Sequence, residues 1–264
     1  MTMLARKISI LFGCLLASGA VADDVRLSQT VSDEVVLGFG QVCPALGSAA
    51  IVEASSYWRS FTLRDEGVPS DFQVRRVEFG IEQLRLPTLI EVEITVNLFT
   101  APEGTAPQTG LTLIESAVLN PGDRSLEVVG VDVDALAAAG TALVVEVSVP
   151  SLRDLSFGGT TDIFVPGANG DGETAPVYFS SDACGVAEPV AWDPAWGTFN
   201  YVLSVIGEPF CATDLDGDGE LTLFDFLTFA NLFDAGDQRA DFDGDGVLTV
   251  FDFLEFQNRF GLGC

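Results

Sequence analysis

The sequence predicts a mainly β fold, a jelly-roll-like antiparallel β-sandwich, followed by a small α-helical unit built on a duplicated loop. Three observations carry this prediction. Residues 35–206 alternate apolar and polar side chains with a period of two, which is typical of strands. After residue 207 the pattern changes to that of loops and helices. An acidic segment, DLDGDGELTLFD at 214–225, returns almost unchanged as DFDGDGVLTVFD at 241–252.

The first 22 residues have the features of an export signal. Arg6 and Lys7 precede an apolar segment, and residues 20–22 (AVA) fit a small-residue cleavage site. The apolar segment is too short to span a bilayer, which takes ~20 residues. A lipoprotein signal ending before Cys14 is the alternative. We expect residues 1–22 to be removed, the remainder not to insert into a membrane, and the protein to be secreted or held at the cell surface of a bacterium.

The composition excludes several classes of protein. There are 39 acidic and 12 basic residues, which give a formal net charge of −27. This charge repels nucleic acid and anionic lipid headgroups, so we expect no nucleic-acid partner. Apolar residues reach 48%, enough for a sizeable core. Histidine is absent, which removes imidazole metal ligands and Ser-His-Asp triads.

Four cysteines follow the export signal: Cys43, Cys184, Cys211 and Cys264. In an exported protein an even number of cysteines indicates disulfides, and four cysteines allow three pairings. Their order along the chain favours Cys43–Cys184 and Cys211–Cys264, because each bond then closes within one predicted domain.

Eight segments of the larger region are predicted strands, and turn-forming stretches separate them. Val92, Ile94, Val96 and Leu98 share one face, which is typical of a strand with one buried and one wet side. The segment 133–140 is the helix candidate of this region. Eight or nine strands predict a two-sheet sandwich. The predicted strands are 56–63, 72–80, 91–100, 111–119, 125–133, 142–150, 176–181 and 199–207.

The predicted domains are the export signal at 1–22, a β-sandwich domain at 23–207 and a small domain at 208–264. The segment GEPFCAT at 207–213 is a predicted linker. It is too short to act as a flexible tether, so the two domains are expected to lie close together.

The two acidic segments have the ligand pattern of a calcium loop. Of 20 aligned residues in 214–233 and 241–260, 14 are identical. Carboxylates occupy loop positions 1, 3, 5 and 12, position 6 is glycine, and position 7 offers its backbone carbonyl, as a calcium ion with about six to eight oxygen ligands requires. Two copies in phase disfavour the alternative of solvated acidic turns. The predicted ligands of two Ca²⁺ ions are Asp214, Asp216, Asp218, Glu220 and Asp225, then Asp241, Asp243, Asp245, Val247 and Asp252.

One helix is predicted after each loop. No helix-forming segment precedes the first loop, so each unit is half of an EF-hand. An apolar face is predicted from the recurrence of Phe224, Leu227 and Phe233 as Phe251, Leu254 and Phe260.

This pair of half-motifs resembles the dockerin domain over residues 211–264. The similarity is greatest to C-terminal dockerin-like domains of exported bacterial proteins that end in Gly-Cys, here Gly263-Cys264. The resemblance implies calcium-dependent docking to a cohesin-like or other surface receptor. Loop positions 10 and 11 help dockerins to select their partner, which implies partner contacts for Leu223, Phe224, Val250 and Phe251. Packing of these bulky side chains in the core is the alternative interpretation.

The larger region offers candidates for binding and for catalysis. Trp192 and Trp196 flank a loop before the last strand and could stack on sugar rings, or else cap the end of the core. Glu91 and Glu93 partly match the E-x-D-x-x-E signature of jelly-roll glycosidases, without its third acid. The segment NGDGE at 169–173 could hold another cation or form a polar loop tip.

The sequence therefore predicts an exported calcium-binding protein whose β-sandwich is a non-catalytic binding or adhesion module. Calcium-dependent docking would display this module, and a carbohydrate is a candidate ligand. The alternative is a polysaccharide-active enzyme, a glycoside hydrolase or lyase acting in polysaccharide catabolism, carried on the same docking domain.

Overall fold

A computed structural model describes residues 24–42, 53–68, 70–87, 89, 91–104, 107, 109–152, 162–218 and 220–263. The protein is mainly β, with 45% of the described residues in strands of antiparallel sheets and two helices at its C-terminal end. The predicted mainly β class is confirmed. The predicted export signal lies outside the described residues. Within the described ranges, no helix is both long enough and apolar enough to cross a membrane.

Thirteen strands precede the two helices in the described part of the chain. They are β1 (Val25–Ser28), β2 (Ser55–Thr62), β3 (Asp71–Arg85), β4 (Ile94–Pro102), β5 (Thr112–Leu119), β6 (Arg124–Ala137), β7 (Thr141–Val149), β8 (Ile163–Pro166), β9 (Ala168–Asn169), β10 (Tyr178–Ser181), β11 (Val186–Ala191), β12 (Asn200–Tyr201) and β13 (Leu203–Phe210). The helices are α1 (Leu223–Ala235) and α2 (Val250–Leu262).

Two large antiparallel sheets account for most of the strands. The first has the order β1-β13-β3-β6, and β8 also pairs with β3. The second has six strands in the order β11-β10-β2-β7-β4-β5. Strands β9 and β12 form a separate short pair. Most strands that lie side by side in a sheet are distant in sequence. Hydrophobic packing between these non-local strands therefore has to fix the strand order and register.

One hydrophobic cluster contains side chains from both large sheets. The predicted alternation before and along β4 is confirmed, because Val92, Ile94, Val96 and Leu98 are all buried in this cluster. Tyr57 of β2 also lies in it, and its ring centroid is 5.3 Å from that of Tyr201. Each fully buried large side chain contributes about 1.5–3 kcal/mol relative to an exposed one.

The helix predicted at 133–140 is wrong. Strand β6 runs through this segment to Ala137, with Ala135 and Ala137 buried and Leu136 exposed. Alanine favours helices locally, but pairing of Leu136 with Gln73 of β3 satisfies the backbone in the sheet instead. The short strands β1, β8, β9 and β11 were not predicted, because two to six residues carry little periodic signal. The predicted strand 199–207 is divided into β12 and the start of β13.

Strand β13 extends beyond the predicted domain boundary. Its residues Glu208 and Phe210 pair with Gln73 and Asp71 of β3. The Glu208 carboxylate also lies 2.7 Å from the guanidinium of Arg75. Most of the predicted linker at 207–213 is therefore strand, and a turn at 211–213 leads directly to the first acidic loop.

The two helices enclose a small hydrophobic cluster of their own. Phe229, Phe256, Phe242 and Ala240 are buried in it. Helix α1 ends at Gly236, which adopts the left-handed conformation and donates its N–H to the carbonyl groups of the last turn. This arrangement places the two acidic loops immediately before the first turns of α1 and α2.

Candidate metal centres and neighbouring surfaces

Each helix begins at a capping box that holds an aspartate in place. Thr222 is the N-cap of α1, and its backbone N–H donates to Asp225 Oδ2 at 2.8 Å. In α2, Thr249 N–H donates to Asp252 Oδ2 at 2.6 Å. The exposed N–H groups of a helix N-terminus stabilise a negative charge there. Asp225 and Asp252 are therefore fixed as anions at loop position 12.

In the first loop, three carboxylates converge. Asp225 is fully buried, and its Oδ1 accepts hydrogen bonds from the N–H of Leu215 at 2.9 Å and of Asp216 at 3.2 Å. One carboxylate oxygen from each of Asp214, Asp216 and Asp225 lies within 4.8 Å of the others. The hydrogen bonds turn the loop around Asp225 and bring positions 1, 3 and 12 together.

The second loop repeats this geometry. Oxygens of Asp241, Asp243 and Asp252 also lie within 4.8 Å of one another. Gly246, at position 6, has a φ of +83° and donates its N–H to Asp241 at 2.8 Å. The sharp bend predicted at position 6 is present at Gly246, whereas Gly219 lies outside the described residues. Glycine is favoured at such a φ because a side chain there is strained.

The carboxylates at loop position 5 do not join the two clusters. Asp218 Oδ1 accepts the N–H of Glu220 at 2.9 Å, and Asp245 Oδ1 accepts the N–H of Val247 at 2.7 Å. The structure thus brings together three of the four predicted carboxylates in each loop. Coordination by the carbonyls of Glu220 and Val247 stays a prediction.

Desolvation, hydrogen bonds and neighbouring carboxylates shift the pKa values in both clusters. Partial loss of solvent and the neighbouring carboxylates raise the pKa of Asp216 above its ordinary value. For Asp243, a hydrogen bond from Asp245 lowers the pKa, but desolvation and nearby carboxylates outweigh it and the pKa is raised. Burial acts to raise the pKa of Asp225, yet several backbone N–H donors outweigh it and the pKa is lowered. Each cluster thus contains one aspartate held as an anion by backbone N–H groups, beside further carboxylates that repel it and one another.

The chemistry of the donor set fits a hard divalent cation. Every ligand atom in the two clusters is a carboxylate oxygen, and hard cations such as Ca²⁺ and Mg²⁺ prefer oxygen. Soft metals favour thiolates, which these clusters lack. The protein therefore contains two acidic clusters that could hold a metal ion.

The side chains at loop positions 10 and 11 are exposed, so their interpretation as core residues is wrong. Leu223 and Phe224 are 67% and 65% exposed, and the equivalent Val250 and Phe251 are 62% and 63% exposed. They lie in the first turn of each helix, next to the acidic clusters. Large apolar side chains this exposed are unusual for a solvated helix surface.

The apolar face predicted for the helices is partly wrong. Leu227 and Leu254 belong to the predicted apolar face but are 47% and 46% exposed. The buried positions are Phe229 and Phe256, which were not among the residues of the predicted face. The helices are apolar around most of their circumference, so a period of 3.6 residues does not identify the buried face. The recurrence of phenylalanine at both positions is the signal that identifies them.

Trp192 and Trp196 form an aromatic corner at one end of the larger region. Their rings meet edge to face at 5.2 Å. Trp192 packs against the core and donates its indole N–H to the carbonyl of Gly197 at 2.9 Å, whereas Trp196 is 50% exposed. Beside them lies a concavity of about 350 Å³ that also contacts Gln41 and Phe179. Trp192 therefore caps the core, and Trp196 is the ring that solvent reaches.

The remaining candidates of the larger region do not form a joint site. Glu91 and Glu93 are exposed in the segment that precedes β4. In the segment 169–173, the Asn169 amide is buried and donates to backbone carbonyls, while the Glu173 carboxylate pairs with the buried guanidinium of Arg59 at 2.9 Å. The polar atoms at both ends of this segment are thus engaged in structural contacts.

Both described cysteines, Cys184 and Cys211, are disulfide-bonded. Cys43 and Cys264 lie outside the described residues, so the two predicted pairings stay predictions. Gly263 lines the same small concavity as Cys211. The two ends of the C-terminal unit therefore lie close together.

No protein-family model matches the chain, and no curated protein matches it. Among solved structures, the chain is similar to the crystal structure of the cysteine protease and lectin-like domains of Cwp84, a surface layer associated protein of Clostridium difficile. The identity is 13% and the TM-score is 0.36. The similarity covers 61% of this chain and 33% of that one, so the chain spans about a third of its length. At this TM-score the similarity carries no argument about function.

Proposed function

We propose that the protein is an exported, calcium-binding docking protein. Its C-terminal residues 211–264 form a dockerin-like unit of two half EF-hands, and residues 23–210 form a jelly-roll-like β-sandwich that binds a ligand without altering it. One observation carries the proposal. In both halves of the duplicated segment, a cluster of three carboxylates lies next to exposed apolar side chains in the first turn of the following helix.

In this proposal each loop holds one Ca²⁺ ion. Asp214, Asp216 and Asp225 supply carboxylates in the first loop, and their equivalents do so in the second. Bound calcium would supply two positive charges to each loop. Asp225 and Asp252 link the loops to the first turns of the helices. Neutralising the repulsion between the loop carboxylates therefore stabilises both the loop and the helix.

We propose that docking uses an exposed apolar surface on the two helices, here called the docking patch. It consists of Leu223, Phe224, Leu227, Val250, Phe251 and Leu254. All six side chains are at least 46% exposed. Apolar side chains at the centre of an interface contribute most of its binding energy when a partner removes them from water. A cohesin-like receptor at a cell surface is the proposed occupant, since the patch adjoins the loops that calcium would order.

The larger region is proposed as a non-catalytic binding or adhesion module with a carbohydrate as its ligand. Two features support a ligand outside the cytoplasm: the predicted export signal and the disulfide-bonded cysteines. Docking would raise the local concentration of a weakly binding module at its target. The exposed Trp196 is one candidate for stacking on a sugar ring.

Calcium binding is tested by isothermal titration calorimetry on the full chain. We expect two ions per chain, and one ion after either Asp225→Ala or Asp252→Ala. Asp234→Asn is the matched control, because Asp234 is an exposed carboxylate on α1 outside both clusters, and it should still bind two ions. Two ions bound to the Asp225→Ala, Asp252→Ala double variant would contradict the proposed sites.

Docking is tested by surface plasmon resonance against a panel of immobilised cohesin modules. We expect binding in calcium, none in excess chelator, and loss of binding in the Phe224→Ala, Phe251→Ala double variant. Calorimetry on that variant should still give two calcium ions, which separates the docking patch from the metal sites. Binding that persists in chelator, or in the double variant, would contradict this docking mode.

The alternative of a polysaccharide-active enzyme has a direct test. Purified protein would release reducing sugar from a polysaccharide, and one carboxylate variant would abolish the release. Glu91→Gln and Glu93→Gln are the first variants to make. Such turnover would replace the binding role of the larger region and leave the docking role unchanged.

A further inference from the structure

The outer face of the six-stranded sheet, opposite the main core, carries a continuous row of polar and aromatic side chains. The strand register places Tyr178, Trp58, Glu146, Asn97 and Ser116 side by side on five consecutive strands. Adjacent strands lie ~4.8 Å apart, so the row is roughly 19 Å long. A straight row of this length matches an extended ligand rather than a compact one.

A second row of hydroxyl groups runs beside the first. Ser180, Ser56, Ser148 and Thr95 are paired across four strands of the same sheet. Three of these serines line a concavity of about 300 Å³ that also contacts the acidic side chains of Glu53 and Asp182. The hydroxyl row therefore borders a depression and not a flat surface.

The polar groups of the first row are held in fixed orientations. Asn97 donates its amide N–H to Glu146 at 2.8 Å and accepts the Ser116 hydroxyl at 2.7 Å. Trp58 donates its indole N–H to the Ser180 hydroxyl at 3.1 Å, which links the two rows. Preorganised donors and acceptors lose little entropy when a ligand binds.

Glu146 is the charged residue at the centre of the row. It is half-buried, and among the described residues no arginine or lysine forms an ion pair with it. A carboxylate accepts several hydrogen bonds, and the amide of Asn97 occupies one of these positions. Its remaining acceptor capacity suits a hydroxyl donor in a ligand.

An apolar cluster adjoins the polar rows on the same face. Trp58, Val144 and Ala101 are buried there, and the half-buried rings of Phe99 and Tyr178 pack against them. The half-buried rings of Phe99 and Tyr178 thus offer apolar contact beside hydrogen-bonding groups, and the buried side chains support them. A pyranose ring needs both, because its C–H faces are apolar and its edges carry hydroxyls.

We infer that the outer face of the six-stranded sheet is a binding site for a neutral, extended glycan. Asn97 and Glu146 contact sugar hydroxyls at its centre, and the hydroxyl row of Ser56, Ser148 and Ser180 contacts the neighbouring edge of the chain. The inference rests on the proposed binding role of the larger region and names its ligand class and location. It is distinct from the Trp196 corner, whose concavity shares no residue with it.

The charge of the protein selects against anionic glycans. The formal net charge is −27, and Glu146, Glu53 and Asp182 lie on or beside the proposed site. A polysaccharide with carboxylate or sulfate groups would meet repulsion there. The site shares no residue with the metal clusters, so chelator should not affect glycan binding.

Affinity gel electrophoresis of the full chain tests the inference. The probes are mixed-linkage β-glucan, galactomannan and arabinoxylan, with alginate as the anionic comparison. At least one neutral probe should retard the protein, with and without chelator, and alginate should not. Asn97→Ala should weaken retention by up to about tenfold, the upper end of the loss expected for one hydrogen bond to a neutral sugar hydroxyl. The milder Ser116→Ala, at an exposed position, should also weaken it.

Gln73→Ala is the matched control. Gln73 is a half-buried amide on the other sheet and donates to a carboxylate, Asp134, at 2.9 Å, as Asn97 does to Glu146. It should retain full binding. Trp196→Ala is made alongside it to test the Trp196 corner as a competing site. Near-ultraviolet circular dichroism checks that each variant is folded.

The outcomes separate this site from the proposed function. Loss of binding in Trp196→Ala but not in Asn97→Ala or Ser116→Ala would overturn the sheet-face site and leave the binding role standing. Retardation by none of the neutral probes would also overturn it. Calcium binding and docking are decided separately, by calorimetry and by surface plasmon resonance. Retardation together with release of reducing sugar would support the site and overturn the non-catalytic role.

Discussion

Phe229 and Phe256 stack face to face, with ring centroids 4.3 Å apart and an interplanar angle of 14°. They occupy the same position in the two halves of the duplicated segment, 27 residues apart. Phe226 and Phe253 are a second equivalent pair, with centroids 6.1 Å apart. Contacts between equivalent residues are what packing about an approximate two-fold axis produces. The duplicated sequence therefore builds one small core from two copies of the same half.

Removing one ring of the central stack should destabilise both helices together. Phe229 is buried, and truncating a buried phenylalanine costs about 3–5 kcal/mol. We expect Phe229→Ala to lower the local unfolding free energy of α1 and α2 by this amount, measured by hydrogen exchange of the full chain in calcium. Phe224→Ala, at a 65% exposed position on the same helix, is the control and should change it by less than about 0.5 kcal/mol. Equal effects would contradict the assigned core.

The ends of the C-terminal unit should be joined by Cys211–Cys264, and the larger region closed by Cys43–Cys184. Cys211 is disulfide-bonded and lies against the same concavity as Gly263. By restricting the unfolded chain, a bond closing a loop of this size contributes on the order of 4 kcal/mol. Peptide mapping under non-reducing conditions should recover these two linked pairs. A linked Cys43–Cys211 peptide would contradict both pairings and the predicted boundary.

Arg59 is fully buried in the larger region, and Glu173 balances its charge. Its guanidinium also donates to the carbonyl of Tyr201 at 2.9 Å. Glu173→Gln leaves a buried cation without a counter-charge, which costs 3–5 kcal/mol for a fully buried pair. Because the Glu173 side chain is 24% exposed, we expect about 2–3 kcal/mol in urea unfolding followed by tryptophan fluorescence.

Glu208→Gln is the control for that experiment. Glu208 pairs with Arg75, whose side chain is 49% exposed, and exposed ion pairs contribute less than about 1 kcal/mol. Both variants remove one carboxylate from an arginine, so the difference between them isolates burial. Equal destabilisation would show that the burial of Arg59 has no energetic effect.

The sequence predicted features that depend on local chemistry. The alternation around Ile94 identified a buried strand face correctly, because a period of two directly reflects the geometry of a strand. The acidic loops likewise brought Asp214, Asp216 and Asp225 together, because glycine and Asx hydrogen bonds shape a short loop without distant contacts.

Features set by distant contacts were not predictable. The alanine-rich end of β6 is strand because β3 pairs with it, although Ala135 and Ala137 favour helix locally. Pairing with β3 also extends β13 to Phe210. The polar row of Asn97 and Glu146 requires the register between β4 and β7, which the sequence of either strand does not specify.

The pH dependence of the turn between α1 and the second loop gives the last prediction. Asp237 accepts hydrogen bonds from the Arg239 guanidinium at 2.8 Å and from the Arg239 backbone N–H at 3.0 Å. These hydrogen bonds lower the pKa of Asp237 to about 2. A carboxylate with a depressed pKa stabilises the fold above its unfolded pKa of about 4, and this contribution is lost as the pH falls from about 4 towards 2.

Carboxyl-detected NMR titration of the full chain should therefore give Asp237 a midpoint near 2. Arg239→Gln removes the guanidinium, so the pKa should move back towards the ordinary value of about 4. The Arg239 side chain is 70% exposed and that of Asp237 is 33% exposed, so added salt should screen part of the shift in the native chain and less in the variant. A midpoint near 4 in the native chain, unchanged by Arg239→Gln, would show that Arg239 does not stabilise the Asp237 carboxylate.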